Sequence, residues 1–128
     1  MANNILQMNR GDTLQFTFTI NDYAEGFDYY RLAGNDALYF GLLLPNQQFE
    51  DAIVKKKYTT NDIIEGDPDG AVLITLEPKD TLCLLPGRYY YMIKLKMDHI
   101  DKDKETGEET HVQSVTTIIN KTKFFIYD

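Results

Sequence analysis

Residues 84–96, Leu-Leu-Pro-Gly-Arg-Tyr-Tyr-Tyr-Met-Ile-Lys-Leu-Lys, constrain this chain more than any other stretch, because a tight corner runs straight into an alternating segment. Pro86 fixes its own φ and lacks an N–H, while Gly87 admits backbone angles closed to other residues, so the pair turns the chain sharply. Beyond it, Tyr89, Tyr91, Ile93, Leu95 and Met97 fall on one face and Tyr90, Met92, Lys94 and Lys96 on the other. A period of two is the mark of a strand with one face turned to a core. A tyrosine just past such a corner can turn its hydroxyl back onto the upstream backbone and pin the crossing between two sheets. Tyr89 is the residue expected to do so, with Tyr91 the alternative.

The rest of the chain reads the same way. Residues 13–20 alternate strictly, with Leu14, Phe16, Phe18 and Ile20 against Thr13, Gln15, Thr17 and Thr19. Residues 5–8 predict a short edge strand that ends at an Arg10-Gly11-Asp12 turn. Residues 38–44 are almost continuously apolar, which predicts a strand buried on both faces. Residues 49–59 predict a strand carrying Lys55, Lys56 and Lys57, whose charges suit a solvated sheet edge. Residues 61–70 are turn-forming, and residues 71–76 predict a strand with Val72, Ile74 and Leu76 inward. Residues 77–84 place Pro78 at a first helical position and predict one or two helical turns. Residues 101–109 are wholly polar and predict a hairpin tip. Residues 111–119 return as a strand, and residues 124–127 continue it after Asn120-Lys121. A bulge near Thr116-Thr117 is expected, because the inward positions change parity there.

Seven or eight strands, one short helical corner and no helix long enough for a crossover predict a single domain over residues 1–128. Its expected fold is all-β, an antiparallel immunoglobulin- or fibronectin-like β-sandwich. Nine Tyr, seven Phe and recurring Thr, Ile and Val suit half-buried pleated surfaces. The single Cys83 cannot form an internal bridge, so the fold does not depend on oxidising conditions. A net charge of −7 repels nucleic acid and anionic membranes, so neither is an expected partner. The first ten residues lack the pattern of a secretory signal, and synthesis in the cytoplasm is expected.

Residues that could carry chemistry each have a plainer structural role. Arg10-Gly11-Asp12 suits a turn. The acidic residues of 101–109 do not follow calcium-loop spacing, since Gly107 stands seventh from Asp101 and the flanks are strands. His99 and His111 are expected to face each other across the hairpin base, with no third metal ligand set by spacing. Cys83 sits among apolar residues without a basic neighbour. No nucleophile elbow, phosphate loop or zinc-protease spacing occurs, so no catalytic residue, cofactor or metal is expected. The aromatic loop of Tyr23, Phe27, Tyr29 and Tyr30 is the candidate binding surface, because Tyr offers amphipathic contact area to sugars or proteins.

The order of elements resembles a known family. Arg10-Gly11-Asp12-Thr13 before an alternating strand, the apolar strand 38–44, Ile53-Val54-Lys55, Asp69-Gly70-Ala71, Asp80-Thr81 and Leu85-Pro86-Gly87-Arg88-Tyr89-Tyr90-Tyr91 resemble the immunoglobulin-like domain at the N-terminus of phage baseplate upper proteins. The resemblance spans nearly all the chain. It implies a non-enzymatic virion component of a baseplate, tail, fibre or head, from a free phage or a prophage, made in the bacterial host cytoplasm. Other virion proteins would be its partners, and it would form a homo-oligomer in the particle. Baseplate proteins of this sort continue into a receptor-adaptor region whereas this sequence ends at Asp128, so an accessory subunit or a smaller relative is expected. The segments expected to pair at sheet edges are 5–8 and 124–127, with Phe125 and Tyr127 as contact residues. The alternative, from another class, is a carbohydrate-binding module with Tyr23, Tyr29 and Tyr30 as its stacking platform; a glycan is then the partner.

Overall fold

The computed structural model describes residues 5–21 and 29–128. The fold is all-β. Its strands are β1 Leu6–Asn9, β2 Leu14–Phe18, β3 Ile20–Asn21, β4 Tyr29–Tyr30, β5 Ala37–Leu43, β6 Val54–Tyr58, β7 Val72–Leu76, β8 Gly87–Lys102 and β9 Glu109–Tyr127. The described residues thus hold nine strands, more than the seven or eight expected, because the alternating stretch 13–20 divides at Thr19 and a two-residue strand precedes β5. One α-helical turn, α1 Pro78–Thr81, precedes the corner. Phe49–Asp51 is a 3-10 turn and not the start of a strand; only Val54–Tyr58 of the expected 49–59 strand is extended.

Five strands form one sheet in the order β1-β9-β8-β5-β6, while β2 pairs with β7 and β3 with β4 in separate two-stranded sheets. The large sheet is mixed rather than purely antiparallel, because β1 runs parallel to the end of β9, from Leu6 opposite Phe124 to Asn9 opposite Tyr127. No hairpin joins these strands, so no turn dictates their relative direction. This pairing also corrects the expectation for residues 124–127: they lie between β1 and β8 and are not an edge.

The two larger sheets share one core. Phe16 of β2 meets Phe40 of β5 edge-on at 6.3 Å between ring centroids, Phe40 stacks on Tyr91 at 5.7 Å, and Tyr91 meets Phe124 at 6.3 Å. Val72, Ile74 and Leu76 of β7 and Leu38, Phe40 and Leu42 of β5 are fully buried. Burial of side chains of this size stabilises by roughly 2 kcal/mol each relative to exposure. The outer face of β5 is also shielded. A Cβ at Gly41 would lie 2.6 Å from the Phe49 ring, so glycine is what lets that ring settle on the strand.

β9 is a single strand of 19 residues, and the break at Asn120-Lys121 is a fault in its register. Ile93 faces Ile119, but Tyr91 faces Thr122 and Lys94 faces Thr117, which leaves an extra β9 residue on each side of Ile119. Two bulges in succession, a little beyond the expected place, move the inward set from Phe124 and Thr122 to Ile119 and then to Thr116.

The corner is closed from three directions. Tyr89 Oη donates to the Leu85 carbonyl at 2.6 Å. Asp80 caps α1 by accepting from the Glu77 amide at 2.7 Å, and its carboxylate pairs with Lys56 of β6 at 2.8 Å. Buried Thr81 accepts from the Gly11 amide at 3.0 Å, in a turn where Gly11 adopts a φ of +81°. Arg10 and Asp12 therefore belong to a β1–β2 turn, with Arg10 paired to Asp128 at 2.7 Å.

Replacing Tyr89 by Phe keeps the buried ring and deletes one hydrogen bond. The expected loss is about 1 kcal/mol, read as a lower urea midpoint at unchanged slope. An unaltered midpoint would show that the ring alone holds the corner.

Candidate functional site

Along the five-stranded sheet, the face opposite the core gathers residues distant in sequence. Tyr39 of β5 stands between Lys57 of β6 and Lys94 of β8, with Thr117 of β9 next in the row. The neighbouring rows bring Lys55 beside Gly41 and Lys96 beside Val115. Lys55 and Lys94 hold their ammonium groups 5.7 and 5.0 Å from the centroid of the Phe49 ring, within cation–π range. Lys55 also donates to the Glu50 carbonyl at 2.8 Å. A shallow depression of about 240 Å³ lies here, lined by Tyr39, Phe49, Lys55, Lys94, Lys96 and Val115 among others. Among the described residues, none of Lys55, Lys57, Lys94 and Lys96 enters an ion pair. A chain of net charge −7 thus presents a cationic, aromatic patch on one sheet face.

The far end of the same face is aromatic. Phe125 and Tyr127 alternate along β9 and stack at 6.4 Å with 17° between their planes. Arg88, opposite Phe125, lies 5.9 Å from the Tyr90 ring centroid, and Tyr90 is opposite Lys123. Tyr127 is 48% exposed and Phe125 half-buried, so the pair forms a firm ledge on a paired strand. The corner residues Pro86, Gly87 and Tyr89 sit at the start of β8, just before Arg88, while Tyr91 lies in the core.

The expected aromatic loop divides differently. Tyr23 and Phe27 lie outside the described residues. Tyr29 is 42% exposed, but Tyr30, next to it in β4, turns inward and donates its hydroxyl to Asp36 at 2.5 Å. Adjacent strand residues point to opposite sides, so Tyr29 and Tyr30 do not form one stacking platform.

Asp36 is the most heavily bonded side chain among the described residues. Fully buried, it accepts from Tyr30 Oη, from the Ala33 amide at 3.0 Å and from the Asp98 amide at 2.6 Å, and its Oδ1 stands 2.9 Å from His99 Nδ1. Burial alone would raise its pKa, but the four donors outweigh it and hold the carboxyl below the usual aspartate value. With Asp36 ionised, Nδ1 of His99 carries the hydrogen. Such an orientation suits a histidine acid–base pair, yet among the described residues no hydroxyl or thiol is bonded to His99 Nε2. What the carboxylate does is tie the segment before β5 to the base of the β8–β9 hairpin.

The two histidines do not face each other. His99 is opposite Val112 and His111 opposite Ile100, one step out of register, so their side chains leave opposite faces of the ribbon. His111 pairs with Asp98 at 2.6 Å, on the face that also carries Lys94 and Lys96. Asp103 in the hairpin tip accepts from the Glu105 and Thr106 amides, the role of a turn residue. Cys83 is exposed beyond the end of α1 rather than enclosed in a helix.

No family model and no curated protein matches this chain.

The Asp36 cluster sets an acid limit. Its folded pKa lies below the ordinary aspartate value, so the stability it contributes is complete above that ordinary value and fades as pH falls through the folded one. Asp36→Asn should cost about 2 kcal/mol at neutral pH. The gap between variant and native protein should then narrow on acidification below the ordinary aspartate value, as followed by thermal melts across pH. A gap that stays constant would remove the ionised carboxylate from the account.

Proposed function

We propose that this chain is a non-enzymatic structural or accessory protein of a phage virion, built on an immunoglobulin- or fibronectin-like β-sandwich and acting through contacts with other virion proteins. The observation that carries the reading is the outward ledge of Phe125 and Tyr127 beside Arg88 and Tyr90. Tyrosine and arginine are among the side chains that most often anchor protein–protein contacts, tyrosine because it offers a large area at little entropic cost. The Tyr89 bond to Leu85 supports the sandwich form, because it is the interaction expected where such a chain crosses between sheets. The core shared by the five-stranded sheet and the β2–β7 pair supports it as well. The resemblance of Leu85-Pro86-Gly87-Arg88-Tyr89-Tyr90-Tyr91 and its preceding elements to phage baseplate domains supplies the setting. The inward turn of Tyr30 weighs against the carbohydrate-binding alternative.

The ledge can be altered without touching the core. Arg88→Glu and Tyr127→Asp replace exposed side chains, so the isolated protein should melt within a few degrees of the native one. Loss of two anchors should remove at least about 2 kcal/mol of contact energy, which lowers incorporation into particles more than tenfold in a complementation assay. Incorporation of the double variant at the native level would refute the assignment.

A further inference from the structure

The five-stranded sheet treats its free margins unequally. β6 closes one side with Lys55, Lys56 and Lys57, charges that discourage another strand from adding. On the other side β1 covers only Phe124 to Tyr127 of β9. Residues 109–117 of β9 pair with β8 on one side, and among the described residues nothing bonds to the backbone on the other. That stretch, Glu-Thr-His-Val-Gln-Ser-Val-Thr-Thr, contains no lysine, arginine, proline or glycine and one formal charge. Its ladder with β8 is unbroken and ends at Thr117, where the bulges beside Ile119 begin. Every residue in it is exposed except half-buried Val112, and Val115 is 67% exposed. It is a long, regular edge rich in β-branched residues and without the usual guards against strand addition. The unpaired side of β2 spans only five residues.

Charge indicates what adds there. The hairpin tip 101–109 carries five carboxylates and two lysines, net −3. It lies seven ladder steps, roughly 23 Å, beyond Lys94, which separates it from its own copy's lysine patch. In an antiparallel pairing of residues 109–117 with the same residues of a second copy, Gln113 meets Gln113. Thr110 then meets Thr116, His111 meets Val115, Val112 meets Ser114, and Glu109 meets Thr117. Residues opposite one another share a face, so Glu109 of each copy arrives on the face that carries Lys94 and Lys96 of the other. Beyond Glu109 the tip runs toward the stretch with exposed Lys121 and Lys123. Two anionic chains thereby approach along their most neutral strip, with each acidic tip directed at the other's cations.

Resting on the reading of the chain as an assembly protein, we propose that it self-associates through this edge, as a two-fold dimer in which β9 residues 109–117 of two copies pair antiparallel about Gln113. The contact is isologous and closes on itself. Nine residues a side make a small interface, so dissociation is expected near the micromolar range in solution and is offset by multivalency inside a particle.

Sedimentation of the 128-residue chain over a concentration series should show a monomer–dimer equilibrium. Gln113→Lys sets two cations face to face on the axis and should weaken it at least about tenfold. In a Cys83→Ser background, Gln113→Cys should form a disulfide-linked dimer under mild oxidation, because opposed residues of antiparallel strands lie within bridging distance. Glu109→Cys, whose counterpart is Thr117, should not. Lys121→Glu with Lys123→Glu should weaken self-association, and mixing that variant with Asp103→Lys, Glu105→Lys should restore pairing between the two. A monomer at every concentration, equal cross-linking by the two cysteines, or indifference to Gln113→Lys would each overturn the proposal. A dimer lost by Gln113→Lys with incorporation into particles retained would sever the edge contact from the virion role, whereas failure of the ledge variants to affect incorporation would strike the role itself.

Discussion

β8 is far longer than the neighbour that covers it, and the surface of this protein follows from that mismatch. β5 flanks β8 only as far as Lys96, while β9 accompanies it to Lys102. The first half of the β8–β9 ribbon is therefore a core element, sealed by β5, β1 and the second layer. The second half is a two-stranded arm, and among the described residues its β9 side has no neighbouring strand. An isolated two-stranded ribbon is marginal in water. This one is stiffened at its base, where Asp36 takes the Asp98 amide and the His99 ring and the Asn35 amide bonds the Asp98 carbonyl at 2.8 Å. The loop before β5 thus acts as a clamp on the arm, which gives a buried carboxylate a mechanical purpose.

Much of this was legible in the residues. The alternations at 13–20 and 88–97, the apolar run at 38–44 and the polar tip at 101–109 each appear as the predicted kind of element, because period-two burial and turn chemistry are local properties. Tyr89 was legible as the corner residue for the same reason: the Pro-Gly turn fixes where the hydroxyl can reach. What was not legible depends on contacts between distant segments. The parallel β1–β9 pair has no connecting turn to announce it, and it converts residues 124–127 from an expected edge into a central segment. Phe49–Asp51 has the residues of a strand, yet the bare Cα of Gly41 leaves a seat for the Phe49 ring, and a compact turn delivers the ring to it. Met92 reads as an outward residue and is buried; Gly41, opposite it on β5, carries the Phe49 ring.

The basic patch shows the limit of reading strands one at a time. Lys55 and Lys57 follow the spacing of one face, and so do Lys94 and Lys96. Nothing local says that β5 lies between their strands in a register that sets all four on the same side around Tyr39. Lys56, on the opposite face, leaves the set and pairs with Asp80 beneath α1. Three consecutive lysines thus do two jobs, two exposed for solvent or a partner and one bracing the helix before the corner.

Charge separation of this kind has a consequence for assembly. A uniform charge of −7 would keep copies of this chain apart at any orientation, but acid gathered at the tip of an arm and lysine gathered at its root make the repulsion depend on direction. Parallel alignment of two arms sets tip against tip and root against root. Antiparallel alignment exchanges them, and the residues between, 109–117, are the ones that carry almost no charge and, among the described residues, have no backbone partner on the side away from β8. The orientation that electrostatics favours is therefore the one in which strand pairing can add its hydrogen bonds, and neither term needs to be strong when both select the same geometry.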